Sequence, residues 1–239
     1  MAGATCPEAV MRQVIEWMHI TDVMILFGMT ETSPIATQTA ADDTIARRVG
    51  TVGRVVPHVE IKIIDAEGRI LPRGRTGEFC TRGYSVMLGY WNDPARTAEA
   101  IDAAGWMHTG DLAVMDEDGY CRIVGRIKDM IKRGGEAIFP REIEEFLISH
   151  LAIRDVYVFG VPHEFWGAEV CAWISVHDGA GLTEDTVRAF CHDKIARAKI
   201  PQHIRFVTSF PMTGSGKVQK YVMREQMATK LDRTTQPIA

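Results

Sequence analysis

The chain has 239 residues, of which 46% are hydrophobic and 24% charged, so it is long enough for one large or two modest domains with their own cores. A net charge of −4 argues against nucleic acid as the main partner, and no segment approaches the ~18 apolar residues of a membrane span. Its five cysteines are dispersed without a CxxC pair, which is typical of reduced thiols in a cytoplasmic protein.

The beginning of the chain predicts a helix followed by a buried strand. Apolar residues recur at helical spacing over residues 7–19, behind a proline suited to a first helical turn. A continuous apolar run over residues 23–27 then has the length of a buried strand, which ends at Gly28.

Glycines punctuate short alternating segments between residues 50 and 125, including residues 59–63 and 113–115. This pattern predicts antiparallel strands in a small barrel or sandwich, with one helix after Pro94. From about residue 127, strands alternate with helices, which predicts an independent α+β domain. We therefore divide the chain into domains 1–126 and 127–239. The predicted elements of the second domain are helices from Pro140, Thr183 and Val218 and strands over residues 156–161 and 168–176.

A candidate phosphate and metal site follows the first predicted strand, in the sequence FGMTET at residues 27–32. Ligands gather at the carboxyl ends of strands in α/β sheets. Gly28 permits close approach, the Thr30 hydroxyl can bond a phosphate oxygen, and the Glu31 carboxylate can hold Mg²⁺. A helix entry capped by Thr30 is the alternative interpretation.

A second candidate site surrounds Asp111, in the sequence WMHTGD at residues 106–111. Its two carboxylate oxygens can accept hydrogen bonds from the two vicinal hydroxyls of a ribose. The alternative is a turn aspartate that bonds its own backbone. For His108 the sequence shows neither a nucleophile nor an orienting carboxylate, so we expect a hydrogen-bonded structural histidine rather than a general base.

The third candidate covers residues 125–136, GRIKDMIKRGGE, at the predicted domain boundary. Arg126 offers a planar fork of donors for phosphate and ribose oxygens. Gly134 and Gly135 permit a tight loop past which a thin ligand arm could run, and charged residues between flexible points suit a hinge. A solvated basic strand and turn is the alternative.

The fourth candidate is the glycine-containing sequence PMTGSGKV at residues 211–218. It is not a Walker A loop, because Pro211 and Val218 occupy positions that require glycine and Ser or Thr. What remains is Lys217 on a flexible loop, suited to bringing a positive charge to a developing anion. A solvated loop lysine is the alternative.

Together the four segments resemble, in order, the motifs of the acyl-adenylate-forming superfamily of acyl-CoA synthetases, luciferases and peptide-synthetase adenylation domains. The resemblance covers essentially the whole chain. The matching segments are residues 27–31 (aromatic-Gly-Met-Thr-Glu motif), residues 109–111 (ribose motif), residues 125–136 (hinge motif) and Lys217 (C-terminal catalytic lysine).

Residues 82–91, RGYSVMLGYW, further resemble the medium-chain fatty acyl-CoA synthetases. The resemblance implies an α+β fold in which the end of an α/β adenylate-forming core, carrying a small antiparallel β-barrel subdomain, precedes a compact α+β C-terminal domain.

For the first domain, the resemblance implies five residues that line the ligand. Phe27 would stack on adenine beside Gly28. Thr30 would bond the α-phosphate of ATP or AMP while Glu31 holds Mg²⁺. Asp111 would accept hydrogen bonds from the ribose hydroxyls.

For the boundary and the second domain, the resemblance implies a moving part. Arg126 would reach the ribose or the phosphate. Lys217 would stabilise the charge that develops as a carboxylate attacks the α-phosphorus. Rotation about Lys128 would then bring Gly134 and Gly135 beside the pantetheine of coenzyme A.

One departure from the family pattern limits this expectation. The Ser/Thr/Gly-rich loop that cradles the terminal phosphates is absent from the sequence, and only residues 2–5 loosely resemble the loop beside the acyl pocket. We therefore expect the C-terminal portion of an enzyme that ligates a carboxylic acid, here a fatty acid, to coenzyme A and that needs its missing N-terminal part for activity. The alternatives are an adenylation domain or aryl-CoA ligase with another acid, and a non-catalytic truncated fragment.

Overall fold

A computed structural model describes residues 8–214 and 216–235 of the chain, which fall into two units, Met1–Ile127 and Lys128–Ala239. No helix in these two described stretches combines the length and apolar character needed to cross a bilayer. Each unit has its own buried core.

The first unit begins with the predicted amphipathic helix, which is confirmed as α1, Glu8–Met18. Its residue Met11 is fully buried against Val23 and Ile25. A three-stranded antiparallel sheet in the order β1-β2-β3 follows. Its elements are β1 (Leu26–Phe27), β2 (Thr37–Gln38), α2 (Ile45–Gly50) and β3 (Arg54–Val55).

The predicted length of the first strand, residues 23–27, is wrong. Only Leu26 and Phe27 pair with a neighbouring strand. The Ile25 amide donates to the Thr39 hydroxyl at 2.9 Å instead of to a backbone carbonyl, so a side chain ends the ladder.

The second sheet of this unit has four antiparallel strands in the order β4-β5-β6-β7. The predicted strands and the predicted helix after Pro94 are confirmed. The side chain of Asp93 caps this helix by accepting from the Arg96 amide at 3.0 Å. The elements are β4 (Val59–Ile64), β5 (Thr76–Gly83), α3 (Pro94–Ala100), β6 (Met107–Met115) and β7 (Cys121–Arg126).

The predicted closure of these strands into a barrel is wrong. Within the described residues, β4 and β7 remain the two edges of an open sheet. The backbone of β7 bonds elsewhere: Val52 donates to the Cys121 carbonyl at 2.8 Å, and the Cys121 amide donates to Gly53 at 2.9 Å. Because the segment before β4 uses these groups, β7 does not pair with β4.

In the residues of the second unit that the structure describes there are a β-hairpin, a three-stranded sheet and three α-helices. In the sheet, β10 and β11 are antiparallel, and β12 runs parallel to β11. The elements are β8 (Ile131–Arg133), β9 (Glu136–Ile138), α4 (Pro140–Leu147), β10 (Ile153–His163), β11 (Gly167–Val176), α5 (Glu184–Cys191), β12 (His203–Phe206) and α6 (Lys220–Thr235).

The predicted helices of this unit are confirmed, although the last begins later than expected. Pro140 occupies the first turn of α4, and the Thr183 hydroxyl caps α5 by accepting from the Thr186 amide. Helix α6 begins at Lys220 rather than at Val218, because Val218 pairs with Met212 across the preceding loop.

The sheet of the second unit is covered on both faces. Val158 and Ile174 pack with α4 and α5, whereas Phe159 and Trp173 pack with Met223 and other residues of α6. Alternate residues of a strand point to opposite faces. Two apolar faces therefore give β10 and β11 their nearly continuous hydrophobic sequences.

Candidate active site

The loop after β1 presents the first predicted site residues. It turns sharply at Gly28, where a Cβ atom would lie only 1.6 Å from the Pro34 carbonyl oxygen. Residues Thr30–Thr32 form a short helical turn, which the buried Thr32 hydroxyl secures by accepting from the Met29 amide at 3.0 Å. The position after β1 therefore requires glycine.

Thr30 and Glu31 differ in how this loop holds them. The Thr30 side chain is exposed, and Glu31 is half-buried. The Tyr90 hydroxyl donates to Glu31 Oε1 at 2.9 Å, and the Glu31 carbonyl accepts from the Met87 amide at 2.8 Å. Burial and the hydrogen bond to Glu31 raise the pKa of Tyr90, so the phenol keeps the proton that it donates. Tyr90 thus fixes one carboxylate oxygen and leaves the other for a ligand.

Asp111 lies on a bulged part of β6. Cys80 pairs with His108 and Glu78 with Leu112, so three residues of β6, 109–111, lie opposite the single residue Phe79 of β5. Gly110 adopts a positive φ of 69°, as such a bulge requires. The Thr109 hydroxyl bonds the Phe79 carbonyl at 2.6 Å and accepts from the Asp111 amide at 3.1 Å.

Arg126 is the strand partner of Asp111 and donates from Nε to Asp111 Oδ1 at 2.9 Å. The Asp111 side chain is 9% exposed and the Arg126 side chain 54% exposed. Arg126 makes no second side-chain hydrogen bond within the described residues. Its two terminal amino groups can therefore donate to a ligand that also contacts Asp111.

Phe79 links the first two predicted motifs. Its ring meets Phe27 edge-to-face, with centroids 5.1 Å apart, and its carbonyl accepts from Thr109. Phe27 is half-buried against the same core. The loop after β1 and the bulge that carries Asp111 therefore share one buried aromatic neighbour.

In the second unit, the predicted glycine pair forms a tight hairpin turn. Arg133 pairs with Glu136, so Gly134 and Gly135 are the two turn residues, with φ values of 55° and 88°. A Cβ on Gly134 would lie 2.9 Å from the Trp166 ring, and its amide donates to the Trp166 carbonyl at 3.0 Å. The positive φ values at both positions, and the clash at Gly134, favour glycine, as a two-residue turn with positive φ predicts. Lys128, the predicted hinge, is the first residue of this unit.

Lys217 lies on an exposed loop with an ordered backbone. Thr213 donates its amide to the Lys217 carbonyl at 2.8 Å and accepts from the Lys217 amide through its hydroxyl at 3.1 Å. In the part of the chain that the structure describes, the Lys217 side chain makes no hydrogen bond or ion pair. Its ammonium group is therefore presented without a protein partner there.

The sequence did not indicate what anchors this loop. Lys220, the first residue of α6, donates to Glu144 at 2.7 Å and to the Val158 carbonyl at 3.1 Å. Glu144 also accepts from the Val158 amide at 2.7 Å. Both charged side chains are about one-fifth exposed, at 20% and 19%. They lie 76 positions apart, so no local pattern could have revealed the pair.

His108 has carboxylate neighbours that the sequence did not reveal. Its Nδ1 lies 3.0 Å from Glu78 Oε2, and its Nε2 lies 3.7 Å from Asp102 Oδ2. Cys80 Sγ is 3.7 Å from the same Nδ1. The fold brings these groups together across β5 and β6. Residues 2–5, the predicted acyl-pocket loop, lie outside the described residues.

Comparison with known proteins identifies the same two regions. The family model for the AMP-binding enzyme matches residues 1–91, and the model for its C-terminal domain matches residues 142–217. YngI of Bacillus subtilis is 54% identical over 95% of this chain and 41% of its own length. The medium-chain acyl-CoA ligase ACSF2, mitochondrial, of Homo sapiens is 44% identical over 97% of this chain and 38% of its own length.

Solved structures agree with these matches. ATP-bound MatB from Rhodopseudomonas palustris has a TM-score of 0.86 and 34% identity, over 95% of this chain and 44% of its own. The o-succinylbenzoate CoA synthetase MenE of Bacillus subtilis, in complex with its acyl-adenylate intermediate, has a TM-score of 0.82 and 27% identity, over 95% of this chain and 44% of its own. The chain thus spans less than half of each relative's length. It belongs to the AMP-binding enzyme family.

Proposed function

We propose that the chain is part of an enzyme that activates a carboxylic acid with ATP as an acyl-adenylate and then transfers the acyl group to coenzyme A. The main support is Asp111, a buried carboxylate that Arg126 and Thr109 hold on a bulge of β6. The neighbour of this bulge, Phe79, also packs against Phe27. A fixed acceptor with two oxygens matches two adjacent ribose hydroxyls.

In this proposal, the first unit binds the nucleotide. Phe27 and Gly28 border the adenine, Thr30 donates to the α-phosphate, and Asp111 accepts from the ribose. Glu31 suits Mg²⁺ as a hard oxygen ligand, because Tyr90 occupies only its Oε1. When bound, Mg²⁺ would neutralise part of the phosphate charge.

The second unit supplies the mobile groups. Lys217 stabilises the negative charge at the α-phosphate as the carboxylate oxygen attacks phosphorus and pyrophosphate leaves. After rotation about Lys128, the turn of Gly134 and Gly135 lets the pantetheine thiol reach the acyl carbonyl, where AMP leaves. Arg126, at the end of β7, contacts the ribose or phosphate.

The substrate we propose is a medium-chain fatty acid. This rests on the similarity to ACSF2, whose name specifies a medium-chain acyl-CoA ligase. The names of other similar structures specify o-succinylbenzoate and anthranilate as acids, so an aromatic acid is the competing candidate. A cytoplasmic location remains a prediction, since the ACSF2 relatives are named mitochondrial.

The decisive experiment extends the chain to the length of its relatives. The upstream segment of YngI is fused to this chain, and acid-dependent exchange of pyrophosphate into ATP is measured with fatty and aromatic acids. We expect exchange with medium-chain acids in the fusion and none with the present chain alone, which lacks the loop for the terminal phosphates. Exchange by the chain alone, or strict preference for an aromatic acid, would contradict the corresponding part of the proposal.

A further inference from the structure

Glu78, Cys80 and His108 form a compact cluster on one face of the four-stranded sheet. Cys80 and His108 are direct partners across β5 and β6. Glu78 is two positions before Cys80 on the same strand, and alternate residues of a strand point to the same face. The fold therefore brings a carboxylate, a thiol and an imidazole together from sequence positions up to 30 apart.

The separations within this cluster suit a small tetrahedral ion. His108 Nδ1 is 3.0 Å from Glu78 Oε2 and 3.7 Å from Cys80 Sγ, and the three ligand atoms all lie within 4.8 Å of one another. Around tetrahedral Zn²⁺, with its metal–ligand bonds of about 2.0–2.3 Å, neighbouring ligand atoms lie roughly 3.2–3.7 Å apart. The two separations from His108 Nδ1 are within a few tenths of an ångström of this range, and the third, between the Glu78 and Cys80 ligand atoms, is at most 4.8 Å.

The surroundings also favour a cation. Asp102 Oδ2 lies 3.7 Å from His108 Nε2, beyond hydrogen-bond distance, and its negative charge favours a proton on the nitrogen that faces away from the cluster. Lys62 pairs with Cys80 across β4 and β5, but its ammonium lies 4.3 Å from the centroid of the Trp106 ring. Two negative ligands, a carboxylate and a thiolate, would balance one divalent ion.

Access from solvent distinguishes this cluster from a fully enclosed thiol. Cys80 is fully buried, while the His108 and Glu78 side chains are 30% and 18% exposed, so an ion can enter beside them. Burial, followed by the charge of Glu78, raises the pKa of Cys80 to about 12. Without a metal, the sulfur therefore remains a thiol, which is a poor nucleophile and resists oxidation.

We propose that Glu78, Cys80 and His108 bind a divalent transition metal of the zinc class, with Asp102 as the outer partner of the histidine and water as the fourth ligand. Binding releases the Cys80 proton to solvent. The proton that His108 Nδ1 donates to Glu78 in the metal-free chain also leaves Nδ1, and the bound imidazole carries its one proton on Nε2. No electron transfer is involved. Because Glu78 Oε1 also accepts from the Gly110 amide at 3.1 Å, the ion would brace the bulge that carries Asp111.

The test is titration of the chain with Co²⁺, followed by displacement with Zn²⁺. We expect one cobalt per chain, a thiolate-to-cobalt charge-transfer band in the near ultraviolet, and loss of that band on adding zinc. Cys80→Ala should abolish the band. Cys121→Ala, which removes another buried thiol of the same unit, should retain it. The absence of the band at saturating cobalt, or its survival in Cys80→Ala, would overturn the proposal.

Three further variants keep the test decisive if Cys80→Ala does not fold. Circular dichroism first checks that each variant is folded. His108→Gln should lower cobalt affinity by at least about 100-fold, and Asp102→Asn by about 10-fold, in line with known ligand and outer-partner losses. Asp111→Asn should leave cobalt binding unchanged. If Cys80→Ala does not fold, His108→Gln decides the question: full cobalt affinity in that variant would refute the site.

Discussion

The two units of the chain hold their proposed ligand-contacting side chains in opposite ways. In the first unit, Asp111 is nearly buried and is bonded to Arg126. In the second, Lys217 has an ordered backbone but an exposed side chain without a partner among the described residues. A group that recognises a fixed pair of hydroxyls gains from preorganisation, because the cost of ordering it is met on folding. A lysine that acts at only one step of a reaction gains from freedom to reach and to leave.

The largest effect should come from replacing Lys217, the exposed side chain of this comparison, by alanine in the YngI fusion. We expect acid-dependent exchange to fall roughly 10²–10³-fold, because a positive charge at the developing transition state is lost. Thioester formation from supplied acyl-adenylate should fall much less.

The control for this experiment is Lys132→Ala, which removes an exposed lysine from β8 of the same unit. It should leave both half-reactions near their original rates. Equal losses of the two half-reactions in Lys217→Ala would contradict a role specific to adenylation and would suggest that the loop only supports the fold.

The next largest effect should come from the rigid side of the comparison. Asp111→Asn removes the charged acceptor, and we expect affinity of the fusion for a stable acyl-adenylate analogue to fall about 10–100-fold, the equivalent of one charged hydrogen bond. Isothermal titration calorimetry measures this directly. Asp65→Asn alters another Asp–Arg pair of the same unit, that with Arg69, and should have no effect. An unchanged affinity in Asp111→Asn would exclude it from the ribose site.

A third prediction concerns the backbone at the end of β1. In Gly28→Ala, the new Cβ would meet the Pro34 carbonyl, so the loop must shift, and we expect a loss of about 1–3 kcal/mol in the free energy of unfolding. Gly50→Ala is the matched control, since a Cβ there meets nothing within 4 Å and Gly50 ends helix α2. Urea unfolding should show that only Gly28→Ala is destabilised. Equal stability of the two variants would show that the loop tolerates a side chain.

Local patterns in the sequence predicted the features that local physics determines. Pro140 and Thr183 marked helix beginnings because they act within one turn. Gly134 and Gly135 marked a tight turn because only glycine adopts positive φ at both positions without strain. Three of the four site segments lie at loops, turns or strand ends, whereas residues 109–111 form a bulge within β6.

Features that depend on distant partners were not predictable from one sequence. The open edge of the four-stranded sheet follows from the bonds of Cys121 to Val52 and Gly53. The carboxylates beside His108 and the anchor of Lys220 on Glu144 involve residues brought together only by folding. A periodicity or a motif carries no information on such pairs. The cluster of Glu78, Cys80 and His108 and the Lys220–Glu144 pair could therefore be identified only from the structure.

The smallest predicted effect tests a property that the two units share. Burial raises the pKa of Cys171 in the second unit to about 12, as it does for Cys80 and Cys121 in the first. Between the ordinary thiol pKa of 9.0 and about 12, the unfolded chain loses a proton that the folded chain keeps. The contribution of each protonated thiol to the free energy of unfolding is therefore fully present below that range. It declines as pH rises through the range, by up to about 1.4 kcal/mol per pH unit for each thiol.

Cys171→Ala isolates one such contribution. Urea unfolding of wild type and variant at pH 8 and pH 10.5, chosen as roughly below and within the titration range, gives the difference in pH dependence. Removing the thiol should flatten the decline of the wild type by the contribution of one group, even if the variant is less stable at both values. A parallel decline in both proteins would mean that Cys171 ionises alike in the folded and unfolded states. Cys171 would then contribute nothing to the pH dependence of stability. The contrast between the two units would rest on Asp111 and Lys217 alone.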